Sequence, residues 1–268
     1  MTVIFDSFQR EPPPGFRGLH PDIPITFYTR HLPHWRQKGA TYFVTFRLND
    51  ALAPQQLREL VQLKRQWEVK NPGPKTEDLW EKYAREVTTK IEGWLDEGYG
   101  ACYFGETQHS ELLVKALRHY HETRCQVRCL VVMPNHAHAV MKPLDEFALE
   151  DTLRLIKGYV AHEINTQRDA TGAIWEQESY DRIIRDLPHL ENVIRYIGRN
   201  GAKAKLPAEK YLRWIDPTWE TAGWGFEEAV LLLGHSCPST RRHQGESGNK
   251  ENSTGRNAHR TDSCPSCV

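Results

Sequence analysis

Hydrophobic and polar residues follow two different periods along the chain, which indicates that it contains both strands and helices. Residues 40–48 alternate and are rich in β-branched and aromatic side chains, as expected of a strand. Residues 149–168 instead place apolar side chains at helical spacing. The full pattern predicts strands at 40–48, 101–104, 125–133 and 136–142, and helices at 54–70, 77–97, 108–121, 149–168 and 188–200. This mixture predicts an α+β fold, in which helices cover one antiparallel sheet.

The same pattern divides the chain into three segments. Residues 1–27 are rich in proline and are predicted to form an extended arm. Residues 28–235 hold almost all of the aromatic side chains and are long enough for a single domain. Residues 236–268 have almost no aliphatic side chains, so burial cannot offset the entropy lost on ordering. We therefore predict a disordered polar tail after residue 235.

Composition narrows the cellular setting. No run of 18 apolar residues is present, so we expect no membrane-spanning helix. The first residues lack the basic and apolar regions of a secretion signal, and the six cysteines are then expected to be reduced thiols. Cys264 and Cys267 have the spacing of a metal or redox pair, but no second pair of ligands accompanies them. These features predict a cytoplasmic protein. If the protein binds DNA, we expect it to be associated with the nucleoid.

Charge is balanced over the whole chain but not along it. The chain has 35 basic and 35 acidic residues, whereas residues 182–213 contain eight basic residues and three acidic ones. This basic flank is either a solvated helical surface or a surface that binds a phosphate backbone. The candidate DNA-binding residues are Arg182, Arg185, Arg195, Arg199, Lys203 and Lys205.

A pair of histidines provides the first sign of chemistry. His136 and His138 follow the Pro134–Asn135 turn that is predicted to join strands 125–133 and 136–142. Residues two apart on a strand point to the same face, so the two imidazoles lie side by side. Two neutral imidazoles at this spacing can share a divalent metal ion. The alternative is a pair of partly buried histidines with ordinary hydrogen bonds.

A second pair of polar residues lies on the next predicted helix. Tyr159 and Glu163 are four residues apart, so they are neighbours on the margin of its apolar stripe. If this helix packs on the face that carries His136 and His138, a hydroxyl and a carboxylate join the two imidazoles at one site. Otherwise Tyr159 lies at the rim of the core and Glu163 is a solvated side chain.

Several segments, in this order, resemble the REP-associated tyrosine transposases of the single-tyrosine HUH superfamily. The resemblance covers about residues 28–215, and a departure occurs after Asn200, where the family usually continues Asn-Pro-Val and this chain reads Asn-Gly-Ala. The matching segments are 31–35 with 40–48, the Met-Pro-Asn-His-Ala-His motif at 133–138, 157–159 with 163–165, 172–178 with 180–186, and 195–197.

The resemblance implies a fold and an activity. It implies a ferredoxin-like sheet with the histidines on a central strand and a helical extension at the C-terminal side. It also implies a transposase that cuts and rejoins single-stranded DNA at hairpins or repeat ends, through a 5′-phosphotyrosine. Tyr159 is the implied nucleophile, with Tyr180 the second choice and Tyr196 assigned to packing. His136, His138 and Glu163 are the implied ligands of Mg²⁺ or Mn²⁺, although relatives also use glutamine or asparagine as the third ligand.

Two other functions remain open at this point. The first is a domesticated protein that binds DNA hairpins without turnover. The second is a zinc hydrolase that uses water as its nucleophile. A covalent protein–DNA adduct would distinguish the transposase from this hydrolase. Relatives include monomers and homodimers, and the sequence does not choose between them.

Overall fold

The computed structural model describes residues 10–30 and 32–226, which contain a two-stranded hairpin and a five-stranded antiparallel sheet. The strands are β1 (Ile25–Thr29), β2 (Pro33–Gln37), β3 (Tyr42–Arg47), β4 (Cys125–Val132), β5 (His136–Pro143), β6 (Tyr180–Ile183) and β7 (Leu212–Ile215). The helices are α1 (Pro54–Lys70), α2 (Glu77–Leu95), α3 (Thr107–His119), α4 (Leu149–Gln167), α5 (Leu187–Lys203) and α6 (Pro217–Thr221).

The order of strands in the large sheet is β6-β3-β5-β4-β7, and all of its pairings are antiparallel. Without β7, this is the order of a ferredoxin-like sheet, in which α3 connects β3 to β4 and α4 connects β5 to β6. Helices α1 and α2 are inserted before α3, and α5 to α6 follow the last strand of this core. The predicted α+β fold is confirmed, and the histidine strand β5 is central.

The two faces of the sheet bury different helices because successive side chains of each strand point to opposite sides. On the first face, Ala137 and Ala139 of β5 pack in one cluster with Ile156 and Val160 of α4. On the second face, Val140 of β5 packs in a separate cluster with residues of α5. The sheet is thus covered by helices on both sides, and β5 presents its alanines to α4 and its histidines to α5.

Helix α4 forms where the sequence predicts it and buries the predicted stripe. All five apolar residues of the stripe are at most 5% exposed, namely Leu149, Leu153, Ile156, Val160 and Ile164. Burying each such side chain is worth about 1.5–3 kcal/mol. Truncation of Ile156 to alanine at the centre of the stripe would cost about 2–5 kcal/mol.

Helix α5 is fixed at both ends by local interactions. Its N-cap residue, Asp186, accepts a hydrogen bond of 2.8 Å from the backbone N–H of His189, and a proline stands in the first turn. Near its end, Gly201 lies so close to Tyr211 that a Cβ atom would stand 2.3 Å from the ring. Glycine at this position therefore allows the end of α5 to pack closely against the Tyr211 ring.

Some predicted elements differ from the structure. The predicted strand 101–104 is wrong, because Cys102 adopts a left-handed backbone with φ of 49° and Tyr103–Gly105 forms a 3₁₀ turn. The hairpin of β1 and β2 begins inside the predicted arm, and residues 10–24 carry no helix or strand. The short strands β6 and β7, of four residues each, are not among the predicted elements.

Other sequence-based predictions concern segments that the structure does not describe. The tail 236–268, with Cys264 and Cys267, lies outside the described residues, as do residues 1–9 and His31. Within the described ranges, Cys102, Cys125 and Cys129 are free thiols. A search of the same ranges finds no helix with the length and apolar character needed to cross a bilayer.

Candidate active site

His136 and His138 lie side by side on the second face of the sheet, as the spacing predicts. Their ring centroids are 4.8 Å apart, and the two residues are 1% and 0% exposed. Their cross-strand partners on β3 are Arg47 and Thr45, respectively, which therefore share the same face. The two imidazoles are thus the buried centre of a polar group that spans two neighbouring strands.

Hydrogen bonds determine the tautomer of His136. The Nδ2 atom of Asn135 donates to the carbonyl oxygens of Leu95 and Tyr99, at 3.3 and 3.1 Å. This fixes the orientation of the amide, so Oδ1 of Asn135 accepts from Nδ1–H of His136 at 2.8 Å. Burial lowers the pKa of His136 to about 3, and Lys203 acts in the same direction while Asn200 opposes it. His136 is therefore neutral, and its Nε2 carries a lone pair.

His138 is held from two sides. Its Nδ1 lies 2.8 Å from Oγ1 of Thr45, and its Nε2 lies 3.2 Å from the hydroxyl of Tyr196. Its ring stacks on Phe43, with centroids 5.4 Å apart. Burial lowers the pKa of His138 well below its ordinary value, with further lowering from His136 and Lys203. When Nδ1–H donates to Thr45, Nε2 of His138 accepts the proton of the Tyr196 hydroxyl.

Tyr196 and Asn200 reach the histidines from α5, where they are four residues apart and thus neighbours on one helix face. Asn200 is fully buried, and neither atom of its amide makes a hydrogen bond of ordinary geometry in the described part of the chain. The amide nevertheless lies close enough to raise the pKa of His136 and to lower that of Tyr196. A buried amide with only weak contacts to an imidazole and a hydroxyl retains hydrogen-bonding capacity for a ligand.

The predicted partners of the histidines, Tyr159 and Glu163, do not join them. Both lie on α4, which packs on the first face of the sheet, so the sheet separates them from His136 and His138. Tyr159 is 41% exposed and borders a groove with Tyr120. The expectation that these four residues meet is wrong. Its physical reason is that the apolar stripe of α4 packs against the apolar face of β5, which carries Ala137 and Ala139.

The sequence contained a signal for the pair on α5 that the prediction missed. Tyr196 and Asn200 have the same four-residue spacing as Tyr159 and Glu163, but Tyr196 was assigned to packing. Tyr180, the second choice, lies on β6 on the second face, where burial raises the pKa of its hydroxyl and Thr88 is its hydrogen-bonding neighbour. Among these tyrosines, the structure therefore brings Tyr196 to the histidines.

Two carboxylates at the C-terminal end of α2, Glu92 and the C-cap residue Asp96, lie close enough to act on the Tyr196 hydroxyl. Burial raises the pKa of Glu92, although Lys203 and Arg182 partly oppose this shift. Asp96 accepts from Nζ of Lys203 at 2.7 Å. Burial also raises the pKa of Tyr196, and both carboxylates add to this effect. The tyrosine is therefore protonated at neutral pH and needs activation before it can act as a nucleophile.

The donors around the histidines fit a divalent ion of intermediate hardness. Among residues 10–30 and 32–226, no three His, Cys, Asp or Glu side chains are placed to hold a metal together. A third protein ligand beside His136 and His138 would then be an uncharged oxygen, and the unpaired amide of Asn200 is the candidate at hand. Two imidazoles and an amide oxygen leave positions open for phosphate and water.

The candidate DNA-binding residues differ in their surroundings. Arg182 and Lys203 face the carboxylates of α2, close to Tyr196. Arg185 pairs with Glu81 of α2 at 3.3 Å, and Arg195 pairs with Glu191 at 3.1 Å. Arg199 and Lys205 are exposed on and after α5. The fold thus places acidic residues of α2 opposite the basic flank. These acidic residues lie outside residues 182–213, so the charge count for that segment does not include them.

Comparison with known proteins gives a likeness to solved structures alone. No protein-family model and no curated protein matches this sequence. A solved structure of a REP-associated tyrosine transposase bound to a REP hairpin is similar to this chain at 16% identity and a TM-score of 0.35. The likeness covers 66% of this chain and 72% of that chain.

Proposed function

We propose that this chain cuts and rejoins single-stranded DNA through a transient covalent bond to Tyr196. The observation that carries this proposal is the 3.2 Å contact between the Tyr196 hydroxyl and Nε2 of His138. Tyr159, the nucleophile implied by the family resemblance, is replaced in this proposal because it lies across the sheet from both histidines. The proposed activity class, a DNA transposase or single-strand endonuclease with strand transfer, is retained.

The proposed reaction is a transesterification. The Tyr196 oxygen forms a bond to phosphorus while the bond from phosphorus to the 3′ oxygen breaks. The hydroxyl proton passes to solvent water, and the departing 3′ oxygen takes up a proton from water to become a free hydroxyl. The strand then carries a 5′-phosphotyrosine whose ester energy is conserved. A later attack by a 3′ hydroxyl reverses these bond changes and rejoins strands without a nucleotide cofactor.

In this proposal Mg²⁺ or Mn²⁺ is held by His136, His138 and Asn200, and Glu163 has no part in it. A bound divalent ion would polarise the phosphate and stabilise the developing phenolate. The protein orients the imidazoles through Asn135 and Thr45, whose oxygen atoms hold the Nδ1 side of each ring at 2.8 Å. The packing of α5 on the second face keeps Tyr196 beside them.

The proposed partner is a single-stranded DNA hairpin or repeat end. All four residues of the proposed site come from one chain, so a monomer is complete and a homodimer is not needed for chemistry. The basic residues of α5 would bind the phosphate backbone, with Arg199 and Lys205 most accessible to it. The rival proposal, a hairpin-binding protein without turnover, would use the same surface but leave the Tyr196 hydroxyl unreacted.

Denaturing electrophoresis tests the proposal directly. Labelled hairpin oligonucleotides from the DNA that flanks the coding sequence are incubated with the protein and Mn²⁺, and any adduct is located by peptide mapping. We expect a covalent adduct on Tyr196, absent from Tyr196→Phe and retained by the matched control Tyr159→Phe. An adduct on Tyr159 would restore the implied nucleophile. Hairpin binding without any adduct would favour the binding protein, and cleavage without an adduct would favour the hydrolase.

A further inference from the structure

Arg47 has an unpaired hydrogen-bond donor next to the histidines. It is the direct cross-strand partner of His136 in the pairing of β3 with β5, so the two side chains are neighbours on the second face. Its Nη2 atom lies 3.0 Å from Oε2 of Glu176. Its Nη1 atom is buried and has no hydrogen-bond partner in the described part of the chain. Half of the guanidinium fork is thus held by the protein, and half is left unused.

The surrounding chain keeps this fork in place. The backbone N–H of Glu176 donates to the carbonyl oxygen of Arg47 at 3.0 Å. Nζ of Lys157, on α4, donates to the carbonyl oxygen of Glu176 at 2.6 Å. Burial lowers the pKa of Arg47, and Glu176 only partly compensates. A planar fork fixed on one side presents its other side in a defined direction, and this geometry suits a phosphate oxygen.

A cleft begins at this arginine and runs between the sheet and the inserted helices. We call it the α1–α2 cleft; its volume is about 330 Å³, which lies within the range of small-ligand sites. Arg47 and Thr45 lie at its polar end together with the carboxylates of Glu176 and Glu178, and Lys64 of α1 also lines the cleft. Thr45 is the residue that contacts His138. Leucine and valine side chains of α1 and α2, among them Leu60, form its apolar wall.

We infer that the α1–α2 cleft binds one nucleotide of the single strand, next to the bond that is cut. The phosphate binds the unused side of the Arg47 guanidinium, and the base and sugar pack against the apolar wall near Leu60. This inference rests on the proposed function for its choice of ligand. Arg47 thus acts as a substrate-binding residue that positions the strand beside His136 and Tyr196.

Binding in the absence of chemistry tests the inference. In a Tyr196→Phe background and without metal, the affinity for a short fluorescent oligothymidylate is measured by anisotropy at several salt concentrations. Arg47→Met should weaken binding about ten- to a hundredfold and reduce the salt slope by about 0.7, the loss of one phosphate contact. The control Arg154→Met, whose side chain is exposed on α4, should leave both unchanged. An unchanged affinity in folded Arg47→Met would overturn the inference.

A second variant tests the apolar wall of the α1–α2 cleft separately from the charge of Arg47. Leu60→Trp fills the apolar part while keeping Arg47, so it should weaken oligothymidylate binding but spare competition by inorganic phosphate. Normal oligothymidylate binding by Leu60→Trp would overturn the assignment to the cleft. If Arg47→Met does not fold, Arg47→Gln removes the charge but keeps a polar side chain, and unchanged binding there has the same meaning. Since no adduct is involved, failure of Tyr196 to react would overturn the proposed function and leave these results standing.

Discussion

Thr45 and His138 are direct partners across β3 and β5, and their side chains form a hydrogen bond of 2.8 Å. This contact holds the Nδ1 side of the imidazole, so that Nε2 is directed toward Tyr196 on α5. Outer hydrogen bonds of this kind fix both the tautomer and the orientation of a histidine that binds metal. The register of two strands therefore determines which nitrogen of His138 is available for chemistry.

Replacing Thr45 by valine removes this hydrogen bond while keeping the shape of the side chain. We expect Thr45→Val to weaken Mn²⁺ binding by about ten- to a hundredfold, the usual effect of removing an outer partner of a metal ligand. Calorimetric titration with Mn²⁺ measures it. Thr152→Val is a matched control, since Thr152 is also buried but lies on α4 under the first face. Equal Mn²⁺ affinity in both variants would show that Thr45 does not orient a ligand.

The fold was largely predictable from the sequence because it depends on long periodic segments. Helix α1 has the predicted limits, and α4 differs from its prediction only at its last residue. The paired strands β4 and β5 also form where predicted, with the turn at Pro134 and Asn135 between them. Short elements such as β6, with four residues, carry too few side chains to reveal a period.

The site was only half predictable, because a spacing identifies neighbours on one element but not the element that packs against them. His136 and His138 follow from the strand period alone. Choosing between the Tyr159 helix and the Tyr196 helix required knowing which face of β5 each helix covers. The apolar side chains of Ala137 and Ala139 contained that information, since the strongly apolar stripe of α4 packs best on them.

Removing either histidine imidazole should abolish cleavage and spare DNA binding. His136→Ala and His138→Ala delete proposed metal ligands, whereas the basic residues of α5 stay in place. We expect no adduct in the presence of Mn²⁺ or Mg²⁺ and nearly normal retention of a hairpin in a gel-shift assay. A chelator should have the same effect on the unmodified protein. Cleavage of a suitable hairpin in the presence of chelator would contradict the proposed dependence on metal.

Salt dependence distinguishes members of the basic flank. Arg199 and Lys205 are exposed, so each should contribute a phosphate contact and its release of counterions. Replacing both by glutamine should flatten the plot of log K against log salt by about one unit for each lost contact. Lys203 pairs with Asp96 at 2.7 Å, which neutralises part of its charge within the protein, so Lys203→Gln should change the slope by less than one unit. If the double variant keeps the original slope, this surface is simply solvated.

A buried network on the other side of the sheet has the opposite electrostatic character from the histidine pair. His34 on β2 lies 2.8 Å from Asp181 and 2.7 Å from Glu178. Burial by itself lowers the pKa of His34, but the hydrogen bonds to the two carboxylates outweigh it and raise the value to about 9. His34 is therefore charged in the folded protein at neutral pH, whereas His136 is neutral.

These two shifts predict a maximum of stability near pH 6.5, the ordinary pKa of histidine. Between pH 3 and 6.5, His136 binds a proton in the unfolded chain but not in the folded protein, so stability falls as pH decreases through that window. Between pH 6.5 and 9, folded His34 keeps a proton that the unfolded chain loses, so stability falls as pH rises. Each group contributes a slope of at most about 1.4 kcal/mol per pH unit.

Urea unfolding of three proteins across pH 4 to 10 measures both slopes. His136→Gln should reduce the acidic slope by its own share, while His138, whose pKa burial also lowers, keeps the rest. It should leave the alkaline side unchanged, because His136 does not titrate there in either state. His34→Gln should flatten the alkaline side and lower stability at neutral pH, because Asp181 and Glu178 lose a buried cationic partner. The two variants thus serve as controls for each other. An alkaline slope that survives in folded His34→Gln would show that the charge on His34 does not stabilise the hairpin of β1 and β2.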